Sequence, residues 1–233
     1  MYGLFGLFST LAVYNGQRLF KADKLKKTPW LLWVKKQEKR LYLLVLSSSI
    51  LAIVFLFMIQ KLNITALFIL GITGFISVFY VIKLGKVNLR EIPYIKIHLI
   101  AVTWTIVLIL FPIINEGINT SFIWICVAHY FYVVGVTIPF DIRDLKYDFP
   151  SQKTIPQVIG INGAKLISVI LLLGFAGIMY SLYPLTIWNW LFNLSVVLQL
   201  VLILLMSEKR SDIYCAGGID GAIALLGLSY FLV

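Results

Sequence analysis

The sequence predicts an all-α, polytopic membrane bundle, and three observations carry that prediction. Of the 233 residues, 61% are hydrophobic, with a mean hydropathy of +0.95. A soluble domain has too little interior to hide such a fraction. The apolar residues are gathered into runs at 41–60, 64–83, 95–114, 121–140, 158–182, 186–206 and 213–232, with a weaker run at 2–20. Each is close to the ~20 residues that cross a bilayer as a helix. Finally, every Lys and Arg except Lys61 falls at the links that an up-and-down bundle places on one face. Together these predict a single domain over 1–233 with about eight transmembrane helices.

The charges orient the bundle. The links after runs one, three, five and seven carry the cations, so by the positive-inside rule that face is cytoplasmic. The chain is therefore expected to be a multi-pass protein of the cytoplasmic (inner) membrane. The net charge of +10 is a topology signal distributed over these links, and no nucleic-acid partner is expected. This orientation puts Met1 on the outer face at the start of a helix, which leads us to expect one further helix upstream.

In chain order, run 2–20 ends in the polar residues Asn15, Gln17 and Arg18. The link that follows contains Thr28-Pro29, a helix start with Thr as cap and Pro at the first position. Trp30 and Trp33 suit the headgroup level, and Lys35, Lys36, Lys39 and Arg40 face anionic lipid or help recruit a diphosphate. Runs 41–60 and 64–83 are joined by the short outer link with Lys61. The next inner link, 80–96, brings Lys83, Lys86, Arg90 and Lys96 together with Tyr80 and Tyr94. These either clamp phosphate oxygens or mark topology. Small residues inside the runs, Gly71, Gly74, Gly163, Gly174, Gly217, Gly218 and Gly221, fit close helix packing in lipid.

Carboxylates cluster in one place, between runs 121–140 and 158–182, where Asp141, Asp144 and Asp148 stand at i, i+3 and i+7. On a helix leaving the membrane they form one stripe. Like charges so close repel, and a shared cation relieves the repulsion. Mg²⁺ suits, because it binds through one or two carboxylates and completes its shell with water and phosphate. The alternative is a helix end with Asp141 as cap, Arg143 and Lys146 neutralising its neighbours.

Other polar residues lie within the runs. Asp220 is expected to be hydrogen-bonded structurally, and His98 and His129 to be packing or hydrogen-bonding groups. Cys126 and Cys215 read as small buried side chains and not as a disulfide. No His/Cys/Asp spacing resembles a zinc site.

With these residues in place, the chain resembles the UbiA superfamily of intramembrane prenyltransferases. Those proteins have nine transmembrane helices and two Asp-rich motifs on cytoplasmic loops. The second motif reads Asp-x-x-Asp-x-x-x-Asp, then a basic residue and Thr-Leu-Pro. Asp141, Asp144 and Asp148 fit it, followed by Lys153-Thr154-Ile155-Pro156 with Ile for Leu. The first motif, Asn-Asp-x-x-Asp-x-x-x-Asp, aligns its Asn with Asn15. Gly16 and Leu19 then stand at the first two acidic positions and Asp23 at the third.

The resemblance implies a prenyl diphosphate donor, an aromatic or other lipophilic acceptor held among membrane lipid, and Mg²⁺ as cofactor. It implies catalytic and metal-holding roles for Asp144, Asp148 and Asp141, with Asp23 as a further metal ligand. Arg18, Lys83, Arg90, Arg143 and Lys153 become the phosphate contacts. The depleted first motif motivates a second reading, a non-catalytic protein of the same fold that binds isoprenoid lipid or a partner membrane protein. A transporter fits less well, because its charges would sit near the membrane midplane.

Overall fold

A chain immersed in lipid finds no water for its backbone, so each N–H must find a carbonyl within its own segment. Helix is the outcome here. The computed structural model describes residues 1–24, 29–82, 89–117, 121–183 and 189–230, and among them all regular structure is helical. The helices are α1 (Tyr2–Lys24), α2 (Pro29–Lys36), α3 (Glu38–Phe57), α4 (Ile64–Phe79), α5 (Ile95–Thr105), α6 (Phe111–Glu116), α7 (Phe122–Asp144), α8 (Ile155–Leu182), α9 (Asn189–Leu204) and α10 (Asp220–Ser229). A wider-wound π turn, Ile106–Leu110, joins α5 to α6, and another, Tyr214–Ile219, leads into α10.

Among the described residues, four stretches are long and apolar enough to cross a membrane: Glu38–Phe57, Ile95–Glu116, Phe122–Asp144 and Ile155–Leu182. Ile64–Phe79, Trp190–Leu204 and Tyr214–Ser229 are shorter apolar helices. Their outward faces are apolar as well. Phe57, Ile64, Phe68 and Ile213 are 69–80% exposed, a surface that suits lipid tails and not water.

The sequence reading takes 1–233 as one domain; the contacts gather the chain into two compact units. One comprises Met1–Arg90 and Thr103–Asn119, the other Glu91–Val102 and Thr120–Val233. In the first, α1 lies along α3, with Phe8 stacked on Phe55 and Phe5 against the fully buried Phe111. Gln17 ties α1 to α4 through the Ser77 carbonyl at 2.9 Å, and Asn15 donates to Leu11 O within its own helix.

In the second unit α7 lies along α8, and α9 packs with α10 around Tyr132, Leu172, Phe175 and Phe192. The α7–α8 contact is close at Gly135, whose carbonyl accepts from Ser168 Oγ at 2.5 Å. A Cβ there would lie 3.3 Å from the Ser168 carbonyl and 3.4 Å from Leu172. Cys126 and Cys215 are free thiols; Cys215 is buried as expected, whereas Cys126 is only half-buried. His98 and His129 are hydrogen-bonding groups, also as expected: His98 Nδ1 meets Tyr130 OH at 2.5 Å, and His129 lies between Ile125 O and Tyr230 OH. Asp220 is exposed at the first position of α10.

The helix α8 is interrupted at Gly160, with φ 76° and ψ 170°. That region is open only to glycine, while a Cβ would meet nothing within 4 Å. Gly160→Ala is therefore expected to cost about 1–3 kcal/mol through backbone strain alone. Gly177→Ala, also in open space but helical, is the control, expected to be neutral or stabilising. Unfolding both variants in mixed micelles separates strain from crowding.

Candidate functional site

The acidic stretch is built differently from the single stripe expected. α7 ends at Asp144, and the amides of Tyr147 and Asp148 both bond the Asp144 carbonyl, at 2.8 and 2.9 Å. This turn continues past the end of α7 and leaves Asp148 on the side of Asp141, where both meet one lysine. Asp141, one turn inside α7, is not the cap of a helix; the cap position of the next helix belongs to Thr154. There Gln157 Oε1 accepts from the Thr154 amide at 2.9 Å, and Pro156 fits the first turn, where no N–H is needed.

Opposite Asp141, the chain entering α5 brings up a cation. Tyr94 adopts a left-handed backbone, φ 67°, and its amide donates to the Gln152 carbonyl at 3.0 Å. Two residues on, Lys96 Nζ lies 2.7 Å from Asp141 Oδ1 and 2.5 Å from Asp148 Oδ2. All three side chains are buried. Lys153 is also left-handed, φ 47°, and its ammonium stands 5.6 Å from the centre of the Tyr94 ring. Two non-glycine residues in that region, side by side, are held by the contacts around them.

A cavity of about 60 Å³ adjoins this cluster, lined by Tyr94, Lys96, His98, Asp141, Gln152, Lys153 and Thr154, with Ile97 and Ile155. Asp141 Oδ2, Gln152 Oε1 and Thr154 Oγ1 are buried with no hydrogen-bond partner among the described residues. Three acceptors beside a small hollow call for donors, and the space suffices for water.

The remaining expected site residues lie elsewhere. Asp144 faces Arg143, which donates from Nε at 2.8 Å and from Nη2 at 3.1 Å, and Arg143 Nη1 reaches Asp212 at 3.4 Å. Arg143 is thus a partner of carboxylates. Arg18 lies over Tyr14, 3.9 Å from the ring centre, in the first unit, and Arg90 is in the 3₁₀ turn Leu89–Glu91. Lys83 and Thr28 lie outside the described residues, and so does the side chain of Asp23.

For Mg²⁺, the test is the donor set. The ion takes one or two carboxylates with water and phosphate oxygens. Here the Lys96 ammonium holds the place between Asp141 and Asp148, and Asp144 is engaged by Arg143. Among the described residues no group of three His, Cys, Asp or Glu converges. Among the described residues, the carboxylates of the motif are thus already engaged by a lysine and an arginine. Gln152 had no role in the sequence reading, and no local signal marks it. Lys96 was one cation among four in its link, distinguished only by the backbone turn at Tyr94.

In comparison with known proteins, no family model, no curated protein and no solved structure matches the chain.

Proposed function

We propose that this chain is a UbiA-like intramembrane protein of about eight spans, and that it binds an isoprenoid lipid without transferring a prenyl group. The observation that carries this reading is Lys96, seated between two aspartates of the motif at 2.5 and 2.7 Å. Its ammonium supplies the positive charge that the resemblance assigns to a metal. Volume supports the same reading. The hollow here, about 60 Å³, is small beside the roughly 150 Å³ cavity known to take up benzene. Gly16 and Leu19 add nothing acidic from the first motif. A partner membrane protein is the other occupant of this reading, and the charged links face the cytoplasm.

The second reading is Mg²⁺-dependent transfer from a prenyl diphosphate to an aromatic or lipophilic acceptor. It is favoured by the unpartnered oxygens of Asp141, Gln152 and Thr154 at the cavity wall. Purified protein in nanodiscs, given labelled geranyl and farnesyl diphosphates, separates the two. The expected result is retention of labelled isoprenoid that chelation of Mg²⁺ does not change, with no diphosphate released. Mg²⁺-dependent diphosphate release that Asp144→Asn or Asp148→Asn abolishes would establish transfer instead.

A further inference from the structure

We propose that the junction of α2 and α3 is a binding site for an anionic phospholipid. The phosphate sits among Lys36, Lys39 and Arg40, and an acyl chain lies along α3. This inference is independent of the reading of the aspartate corner.

The junction is a built cradle. α2 ends in Lys35-Lys36, one residue, Gln37, turns the chain at φ −100° and ψ 16°, and α3 begins at Glu38. The amide of Gln37 bonds the Trp33 carbonyl at 3.0 Å, and Leu41 N bonds Gln37 O at 3.0 Å, so the turn is closed on both sides. Beneath it, fully buried Val34 packs with Leu19 and Leu41, fixing α2 in place. The resulting open concavity of about 500 Å³ is lined by Lys35, Lys36, Gln37, Glu38, Lys39 and Arg40. Glu38 pairs with Lys35 at 2.8 Å, and the four cations and one anion leave the cradle strongly positive.

The ligand must also be apolar along its length. Below Arg40, the outward stripe of α3 runs Leu43, Ser47, Ile50, Val54 and Phe57, spaced by three and four residues as one helix face requires. Leu43 and Phe57 are 68% and 77% exposed. The stripe spans ~21 Å at 1.5 Å per residue, longer than the acyl region of one leaflet. Leu32 and Trp33, also exposed, add apolar surface on the α2 side. A nucleic acid or free phosphate would satisfy the cations and leave the stripe unused. A phospholipid satisfies both, and clusters of Lys and Arg beside a span attract anionic head groups.

The test uses the full chain, purified from micelles containing equal phosphatidylglycerol and phosphatidylcholine, with retained lipid counted by mass spectrometry. The wild type is expected to be enriched in phosphatidylglycerol. Changing Lys36, Lys39 and Arg40 together to Gln is expected to lower that enrichment by about fivefold per cation, while Lys61→Gln leaves it unchanged. Should the triple variant fail to fold, Lys36→Gln with Arg40→Gln is the milder form, and enrichment in the wild type should fall as salt is raised. Equal enrichment in the wild type and the folded variant overturns the proposal. So does displacement of phosphatidylglycerol by excess geranyl diphosphate, which would assign the cradle to a prenyl diphosphate.

Discussion

Lys96→Met is expected to destabilise the protein by about 3–5 kcal/mol, the range for removing one partner of a buried ion pair. The lysine pairs with Asp141 and Asp148 at once, and Asp141 is only 2% exposed. Met fills much of the same space, so packing changes little and the loss reports on charge. Converting the aspartates as well, Asp141→Asn and Asp148→Asn in the Lys96→Met background, should recover most of the lost stability. A network without uncompensated charge often matches a buried ion pair. Reversible unfolding in mixed micelles reads both variants. A loss below about 1 kcal/mol for Lys96→Met would mean that the corner is as wet as a surface, and the ion-pair lock would be abandoned. The outcome also bears on function, because an ammonium that holds the fold together is poorly placed to yield to a metal.

Gly135→Leu is the second large effect, expected to cost about 3 kcal/mol or more as overpacking. At this position α7 and α8 approach with backbone against backbone, and a Cβ alone would already stand 3.3 Å from the Ser168 carbonyl. Leu172, fully buried, closes the other side. The hydrogen bond from Ser168 to Gly135 O is the smaller contribution at this contact. Interhelical hydrogen bonds in membranes average about 0.6 kcal/mol, so Ser168→Ala should be mild where Gly135→Leu is severe. Comparing the two by the same unfolding titration tells packing from hydrogen bonding. Similar losses would place the energy in the hydrogen bond and not in the close approach.

The helices were legible because hydropathy is a local sum. Each run of Leu, Ile, Val and Phe declares its own burial in lipid, and helix follows from the need of every N–H for a carbonyl. All the expected runs contain a helix, and Cys215 and the histidines lie as read, while Cys126 is only half-buried. The cluster of aspartates was legible too, since charge so dense between apolar runs is conspicuous. Its pairing was not. Spacing put Asp141, Asp144 and Asp148 on one stripe, and Asp141 and Asp148 do share a lysine, but α7 stops at Asp144, whose carboxylate goes to Arg143.

The sequence by itself thus determined a helical chain of lipid-facing spans, with its cations gathered at particular links. Only the tertiary structure decided which cation meets which acid. That choice hangs on where a helix ends and on two left-handed residues, Tyr94 and Lys153, whose conformations are set by contacts between distant segments. Ion pairing falls off over a few ångströms, so a single turn of backbone settles it, and no sum over neighbouring residues contains that information.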